Sequence, residues 1–262
     1  MRISVIGTGA MGGAIIEGLL MSGAFKPEDI MASNPHTKKL QPFASRGVLV
    51  TSYNTVAATH GDIIIIAVKP WLAEKVIEEI APSLDPCRQR LVSVAAGISS
   101  AQICAWLGKD GTPMSVFLAI PNTAAAVCCS MTFVSSANAT PDNDVMVKSV
   151  FDAIGETEFI DESQLPAATM LASCGIAYAL RYIRAATEGG VELGFKAGLA
   201  SRIVAQTVKG AASLLTANNS HPEVEIDKVT TAGGITIKGL NEMEHAGFTS
   251  AVIKGLKAGL NR

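Results

Sequence analysis

From the N-terminus to about Ile160, short apolar runs alternate with stretches of helical spacing. Ile3 to Ile6 is one such run, closed by glycine, and reads as a buried parallel strand. A second strand is expected near Asp29 to Ala32, a third over Val48 to Thr51 and a strongly apolar fourth over Asp62 to Val68. Leu91 to Ala95 and Val116 to Ile120 supply a fifth and a sixth, with a weaker one at Met131 to Val134. Helical spacing covers Ala14 to Met21, Thr37 to Ser45 and Pro141 to Ile154. This alternation predicts an α/β fold: an open Rossmann-type parallel sheet with helices on both faces, over residues 1–160.

After Asp161 no strand pattern remains. Helices are expected over Gln164 to Ala172, Gly175 to Leu193, Lys196 to Ala217 and Ile237 to Ala246, with a last one from Thr249. Ala217 to Glu225 reads as a polar connector. Residues 161–262 thus form an all-helical domain, and roughly a hundred residues of helix make a thin core. Pairing with a second copy would remedy that, so a homodimer through this half is expected.

Candidate chemistry begins at Gly7-Thr8-Gly9-Ala10-Met11-Gly12, directly between the first strand and its helix. Gly7 permits the tight turn, Gly9 lets the backbone approach a pyrophosphate, and Gly12 lets helix and strand pack closely. In that context a dinucleotide site outweighs a plain structural turn. An acidic residue at the end of the second strand would bind the ribose of NAD. Ser33-Asn34-Pro35-His36-Thr37-Lys38-Lys39 holds no carboxylate, and Glu28 and Asp29 lie at the other end of the strand. Hydroxyl, amide and lysine groups suit a 2′-phosphate, so NADPH is expected, with NADH as the alternative. Ala67-Val68-Lys69-Pro70, Ala95-Ala96-Gly97 and Pro121-Asn122-Thr123 end three further strands, where open α/β sheets bind ligands.

A second candidate lies near the C-terminus, at Thr230-Thr231-Ala232-Gly233-Gly234-Ile235-Thr236. A Gly-Gly turn feeding a helix exposes N–H groups at a positive helix end, which suits a small carboxylate. Taken alone, a threonine-capped helix start after a flexible turn is the better explanation.

Composition narrows the classes. A net charge of −2 without a basic stripe argues against nucleic acid and anionic membrane surfaces as partners. The five cysteines (Cys87, Cys104, Cys128, Cys129, Cys174) show no paired framework and no metal-ligand spacing, as expected of reduced thiols in a cytoplasmic protein. His36, His60, His221 and His245 share no metal motif, so no metal is expected. The opening residues read as a strand rather than a signal peptide, and no apolar run reaches membrane-spanning length.

Along almost its whole length the chain resembles the pyrroline-5-carboxylate reductase family. The resemblance rests on Gly7 to Ile16, Ala67-Val68-Lys69-Pro70, Ser93-Val94-Ala95-Ala96-Gly97-Ile98, Pro121-Asn122-Thr123, Glu188 to Gly194 and Thr230 to Leu240. It implies NAD(P)H-dependent reduction of 1-pyrroline-5-carboxylate to proline. It also implies a Rossmann domain followed by a helical dimerisation domain, often assembled into larger rings. By the same resemblance Thr231, Gly234 and Ile235 would hold the substrate carboxylate and the Thr236 hydroxyl would meet the ring nitrogen. Ser173, Cys174 and Gly175 stand where the family has a Ser-Gly-Ser-Gly-Pro-Ala-Tyr run, whose Ala and Tyr are kept as Ala177 and Tyr178. Lys69 and Pro70 would contact the nicotinamide ribose. The chain departs from the family pattern at Trp71, Leu118, Ala124, Cys174 and Ile176.

A protonated cyclic imine is already electrophilic, so its reduction needs orientation, a carboxylate anchor and a hydrogen bond to nitrogen. A ketone would need proton donation to a developing alkoxide. The 3-hydroxy acid dehydrogenases of related architecture use a lysine on the second domain's first long helix. Gly175 to Glu188 carries Arg181 and Arg184 but no lysine or histidine. Reduction of a small 3-keto acid therefore ranks second. A catalytically weak, nucleotide-binding regulatory relative is the third reading.

Overall fold

The computed structural model describes residues 1–108 and 113–260. The chain packs as two compact units, Met1–Cys174 and Gly175–Arg262. In the first, β1 (Ile3–Ile6), α1 (Ala10–Ser22), β2 (Ile30–Ser33), α2 (Gln41–Ala44), β3 (Leu49–Thr51), α3 (Asn54–His60) and β4 (Ile63–Ile66) come first. They are followed by α4 (Pro70–Ile80), β5 (Arg90–Ser93), α5 (Ser100–Leu107), β6 (Ser115–Ile120), β7 (Ser130–Ala137), α6 (Pro141–Asp152), β8 (Gly155–Phe159) and α7 (Leu165–Ala168).

The strands form one eight-stranded sheet in the order β3-β2-β1-β4-β5-β6-β7-β8. β4 shows why the fold forms. Its four isoleucines are all buried, but Ile63 and Ile65 join one hydrophobic core while Ile64 and Ile66 join the other. Successive strand residues point to opposite faces, so an unbroken apolar run belongs between two helical layers. One core takes Ile15, Ile16 and Leu19 of α1 and Val147, Val150 and Phe151 of α6. The other takes Ala57 of α3, Val76, Ile77 and Ile80 of α4, and Ile103 of α5.

Several expectations need adjusting. The sheet is not wholly parallel, because β7 runs antiparallel to β6. The link between them is a short turn segment containing a 3-10 helix at Thr123–Val127, too short for the crossover that a parallel pair requires. β8 pairs parallel with β7 and adds an edge strand where none was expected. The helix expected over Thr37 to Ser45 is a 3-10 turn at Thr37–Lys39 and a single α-turn, α2, with Pro42 in its first two positions. A proline there lacks the N–H that would join the turns into one helix. Residues 161–174 pack with the first unit: Leu165 and Ala168 are buried, Leu165 in the α3–α5 core.

The second unit contains α8 (Gly175–Glu192), α9 (Ala197–Asn218), α10 (Pro222–Lys228), α11 (Ile235–His245) and α12 (Phe248–Ala258). The polar connector shrinks to the residues between α9 and α10. Pro222 starts α10 at a position proline favours, and the His221 ring nitrogen Nδ1 accepts from the Glu223 N–H at 3.2 Å. Internal contacts include Tyr182 edge-on to Phe248, at 6.4 Å between ring centres, and the Tyr178 hydroxyl donating to the Gly255 carbonyl at 3.3 Å. Among the described residues of this unit Ala200 is the one buried hydrophobic side chain, whereas Leu193 is 82% exposed and Ile235 88%. No helix of the described residues is long and apolar enough to cross a membrane.

Candidate active site

Parallel register brings the strand ends together. Ile6 lies opposite both Ser33 and Ile66, and Ile66 lies opposite Ser93. Gly7, Asn34, Ala67 and Val94 therefore leave the sheet along one edge. Strand order reverses between β1 and β4, which opens a crevice at this edge.

The glycine turn fits a dinucleotide. Gly7 has φ +100°, and a Cβ there would lie 2.7 Å from the Ala67 carbonyl oxygen. A Cβ on Gly12 would lie 1.9 Å from the Gly7 oxygen, so α1 can approach β1 only because that atom is missing. Gly9 differs: a Cβ there would meet no atom within 4 Å. It caps α1 in extended backbone with no side-chain hydrogen bond. The first N–H groups of the helix, from Ala10 and Met11 onward, thus face open space suited to a pyrophosphate.

Beside this turn, the Asn34 amide donates to Thr8 Oγ1 at 2.9 Å and accepts from the His36 N–H at 2.9 Å. Both Thr8 and Asn34 are buried and brace the loop. Ser33 is also buried, and its hydroxyl donates inward to Asn54 Oδ1 at 2.8 Å. The polar groups that face solvent at the end of β2 are instead His36, Thr37, Lys38 and Lys39. Asn54, at the start of α3, is a neighbour of the site that the sequence pattern did not single out; its signal is an asparagine opening a helix just after a strand.

At the other strand ends Ala67 and Val68 are half-buried, and Lys69 and Pro70 are exposed at the start of α4. The Lys69 ammonium lies 6.0 Å from the centre of the Trp71 ring, the outer limit of a cation–π contact. Ala95 is buried, while Ala96 and Gly97 are exposed. Gly97 has φ +79°, and a Cβ added to it would meet no atom within 4 Å. Asn122 is buried and spends its side-chain oxygen on the Ala124 N–H at 3.0 Å. Leu118 is buried in the core on the α4 and α5 side.

In the second unit the Gly234 N–H donates to the Thr231 carbonyl at 2.9 Å, closing a four-residue turn. Gly233, the third residue of that turn, has φ +71°, which L side chains avoid and type II turns demand. A Cβ on Gly234 would lie 2.6 Å from the Thr231 hydroxyl. Gly234 then caps α11 without a side-chain bond, so Ile235 and Thr236 belong to the first helical turn rather than to the loop before it. Thr231, Ile235 and Thr236 are exposed around this helix start. Ser173 ends a π-helical segment, Thr169–Ser173, in which the Cys174 N–H donates to the Thr169 carbonyl at 2.9 Å. Gly175 begins α8.

Among the described residues two ionisable groups are perturbed, Cys104 and Glu225, and neither is one of the site residues above. Burial pushes the Cys104 thiol up, against the Asn138 amide that donates to its sulfur at 3.6 Å. Lys228, with help from Ser220 and Asn218, holds the Glu225 carboxyl down at about 2.

The sheet, its reversal point and the glycine cradle define a dinucleotide-binding protein, and residues 2–97 match a family model described as NADP oxidoreductase, coenzyme F420-dependent. Residues 162–262 match the model for pyrroline-5-carboxylate reductase dimerisation. The chain is 41% identical to pyrroline-5-carboxylate reductase 1 of Dictyostelium discoideum over 97% of its own length, and spans 48% of that longer relative. It is 38% identical to pyrroline-5-carboxylate reductase 2 of the same organism, covering 97% of this chain and 89% of the relative. The crystal structure of Plasmodium falciparum pyrroline carboxylate reductase with NADP bound superposes with a TM-score of 0.88 at 26% identity, covering 99% and 95% of the two chains. The chain belongs to the pyrroline-5-carboxylate reductase family.

Proposed function

We propose that this protein reduces 1-pyrroline-5-carboxylate to L-proline with NADPH, or NADH, in proline biosynthesis. The observation that carries the reading is the Thr231–Thr236 turn, whose Gly233 geometry leaves the N-terminal N–H groups of α11 open to a carboxylate. Thr231, Gly234 and Ile235 anchor the substrate carboxylate, with Ser173 and Gly175 shaping its surroundings. The Thr236 hydroxyl oxygen accepts from the N–H of the protonated imine and so orients it. The cofactor, when bound, supplies the hydride. Gly7, Thr8, Gly9, Ala10, Met11 and Gly12 hold its pyrophosphate, with Ser33 and Asn34 supporting the ribose end. Ala67, Val68, Lys69, Pro70, Ala95, Ala96, Gly97 and Asn122 line the nicotinamide end.

Residues 1–160 serve as the dinucleotide-binding domain and residues 161–262 as the substrate-binding and dimerisation domain. The scarcity of buried side chains in the second unit supports a homodimer, which larger rings of the protein would reuse. Five free cysteines suit the reducing cytoplasm. NADPH oxidation followed at 340 nm with pyrroline-5-carboxylate and with a panel of 3-keto acids tests the assignment. Turnover of the imine alone is expected. Ketone turnover would make it a 3-keto acid reductase, and tight NADPH binding without turnover a regulatory relative.

A further inference from the structure

A carboxylate of α4 is tied through two hydrogen bonds to the end of β2. Asn54 opens α3 just beyond β3, and its Oδ1 is fixed by the Ser33 hydroxyl at 2.8 Å. That leaves its amide nitrogen pointing the other way, where it donates to Glu79 Oε2 at 2.9 Å. Glu79 is exposed on α4, and Ser33 is the last residue of β2. A negative charge thus stands two hydrogen bonds from the strand end at which dinucleotide folds distinguish a 2′-hydroxyl from a 2′-phosphate. The end of β2 itself contributes no carboxylate, and on its exposed side offers Lys38 and Lys39.

We propose that Glu79, clamped to Asn54, sets the margin between NADPH and NADH by opposing the 2′-phosphate that Lys38 and Lys39 attract. This rests on the reading of the crevice as a dinucleotide site. A 2′-phosphate carries up to two negative charges, so a nearby carboxylate repels it while leaving a 2′-hydroxyl unpenalised. Near a protein surface at physiological salt such a charge changes affinity by roughly three- to tenfold. The protein therefore accepts both cofactors with a narrower NADPH preference than its lysines alone would give.

Calorimetric titration of the full-length protein with 2′,5′-ADP and with 5′-AMP tests this, because the two ligands differ only in the 2′-phosphate. Glu79→Gln removes the charge and keeps an acceptor for the Asn54 amide. It is expected to tighten 2′,5′-ADP roughly three- to tenfold and leave 5′-AMP unchanged, with the gain shrinking in about 1 M salt as the Debye length falls to about 3 Å. Equal shifts for both ligands, or none, overturn the role of Glu79 while the nucleotide site stands. Wild-type protein that binds neither ligand overturns the site and the role of Glu79 together.

Discussion

Replacing Gly9 and Gly12 separately by alanine sets cofactor binding against folding within one turn. At Gly9 the added methyl meets nothing within 4 Å, and the backbone (φ −74°, ψ −161°) is one alanine adopts freely. Loss of glycine's freedom in the unfolded chain then stabilises the free protein by about 0.4–1 kcal/mol. The same methyl fills the space in which a pyrophosphate would approach the first N–H groups of α1. Charge-assisted hydrogen bonds contribute about 1.5–3 kcal/mol each, so losing one weakens NADPH roughly ten- to a hundredfold. Gly9→Val, with two more carbons, should abolish binding. At Gly12 the methyl would sit 1.9 Å from the Gly7 oxygen and 3.0 Å from Ala67 Cβ, which neither backbone can relieve without parting α1 from β1. Overpacking of that kind costs about 1–3 kcal/mol or more, or several degrees in Tm. Thermal melting of the apo variants and NADPH fluorescence titration separate the two effects. Undiminished NADPH affinity in Gly9→Val would place the nucleotide elsewhere.

Thr236→Ala should lower kcat roughly tenfold or more while leaving the NADPH Kd intact, because the role proposed for its hydroxyl is on substrate; a weakened cofactor Kd would refute that role. Iodoacetamide at neutral pH should label exposed Cys87 and Cys129 well before Cys104, whose thiol burial pushes up, as peptide mass spectrometry would record. Cys104 reacting first would contradict its burial. The Glu225 carboxyl carbon should titrate by NMR near pH 2 rather than at its ordinary 4.5. A carboxyl held down in the folded state stabilises fully above pH 4.5 and loses that contribution as pH falls through about 2. Titration at the ordinary value would mean that the Lys228, Ser220 and Asn218 contacts do not persist in solution.

What could be read from the sequence follows physical exposure. β4 is legible because a strand between two helical layers is apolar at every position, β1 because only the small Ser4 interrupts its apolar run, and the Gly7–Gly12 turn because close approaches there demand missing Cβ atoms. β8 is hidden, since Glu156 and Glu158 face solvent at a sheet edge and only Thr157 is buried between them, so the apolar signal is absent. α3 is short and mostly small or polar, and its alanines alone enter the core. Whether Ser33 points outward or inward depends on strand parity and a partner at Asn54, and the Asn54–Glu79 bond joins residues of different helices. The Thr231–Thr236 turn is recognisable by its residue types, but where α11 begins depends on the φ of Gly233.

A helical half with one buried aliphatic methyl among its described residues has little to hold it together in isolation. In the proposed homodimer its folding and its self-association become a single equilibrium, governed by how much protein is present. Dilution would melt the helices while the sheet persists, so the proposed imine reduction should fall faster than protein concentration.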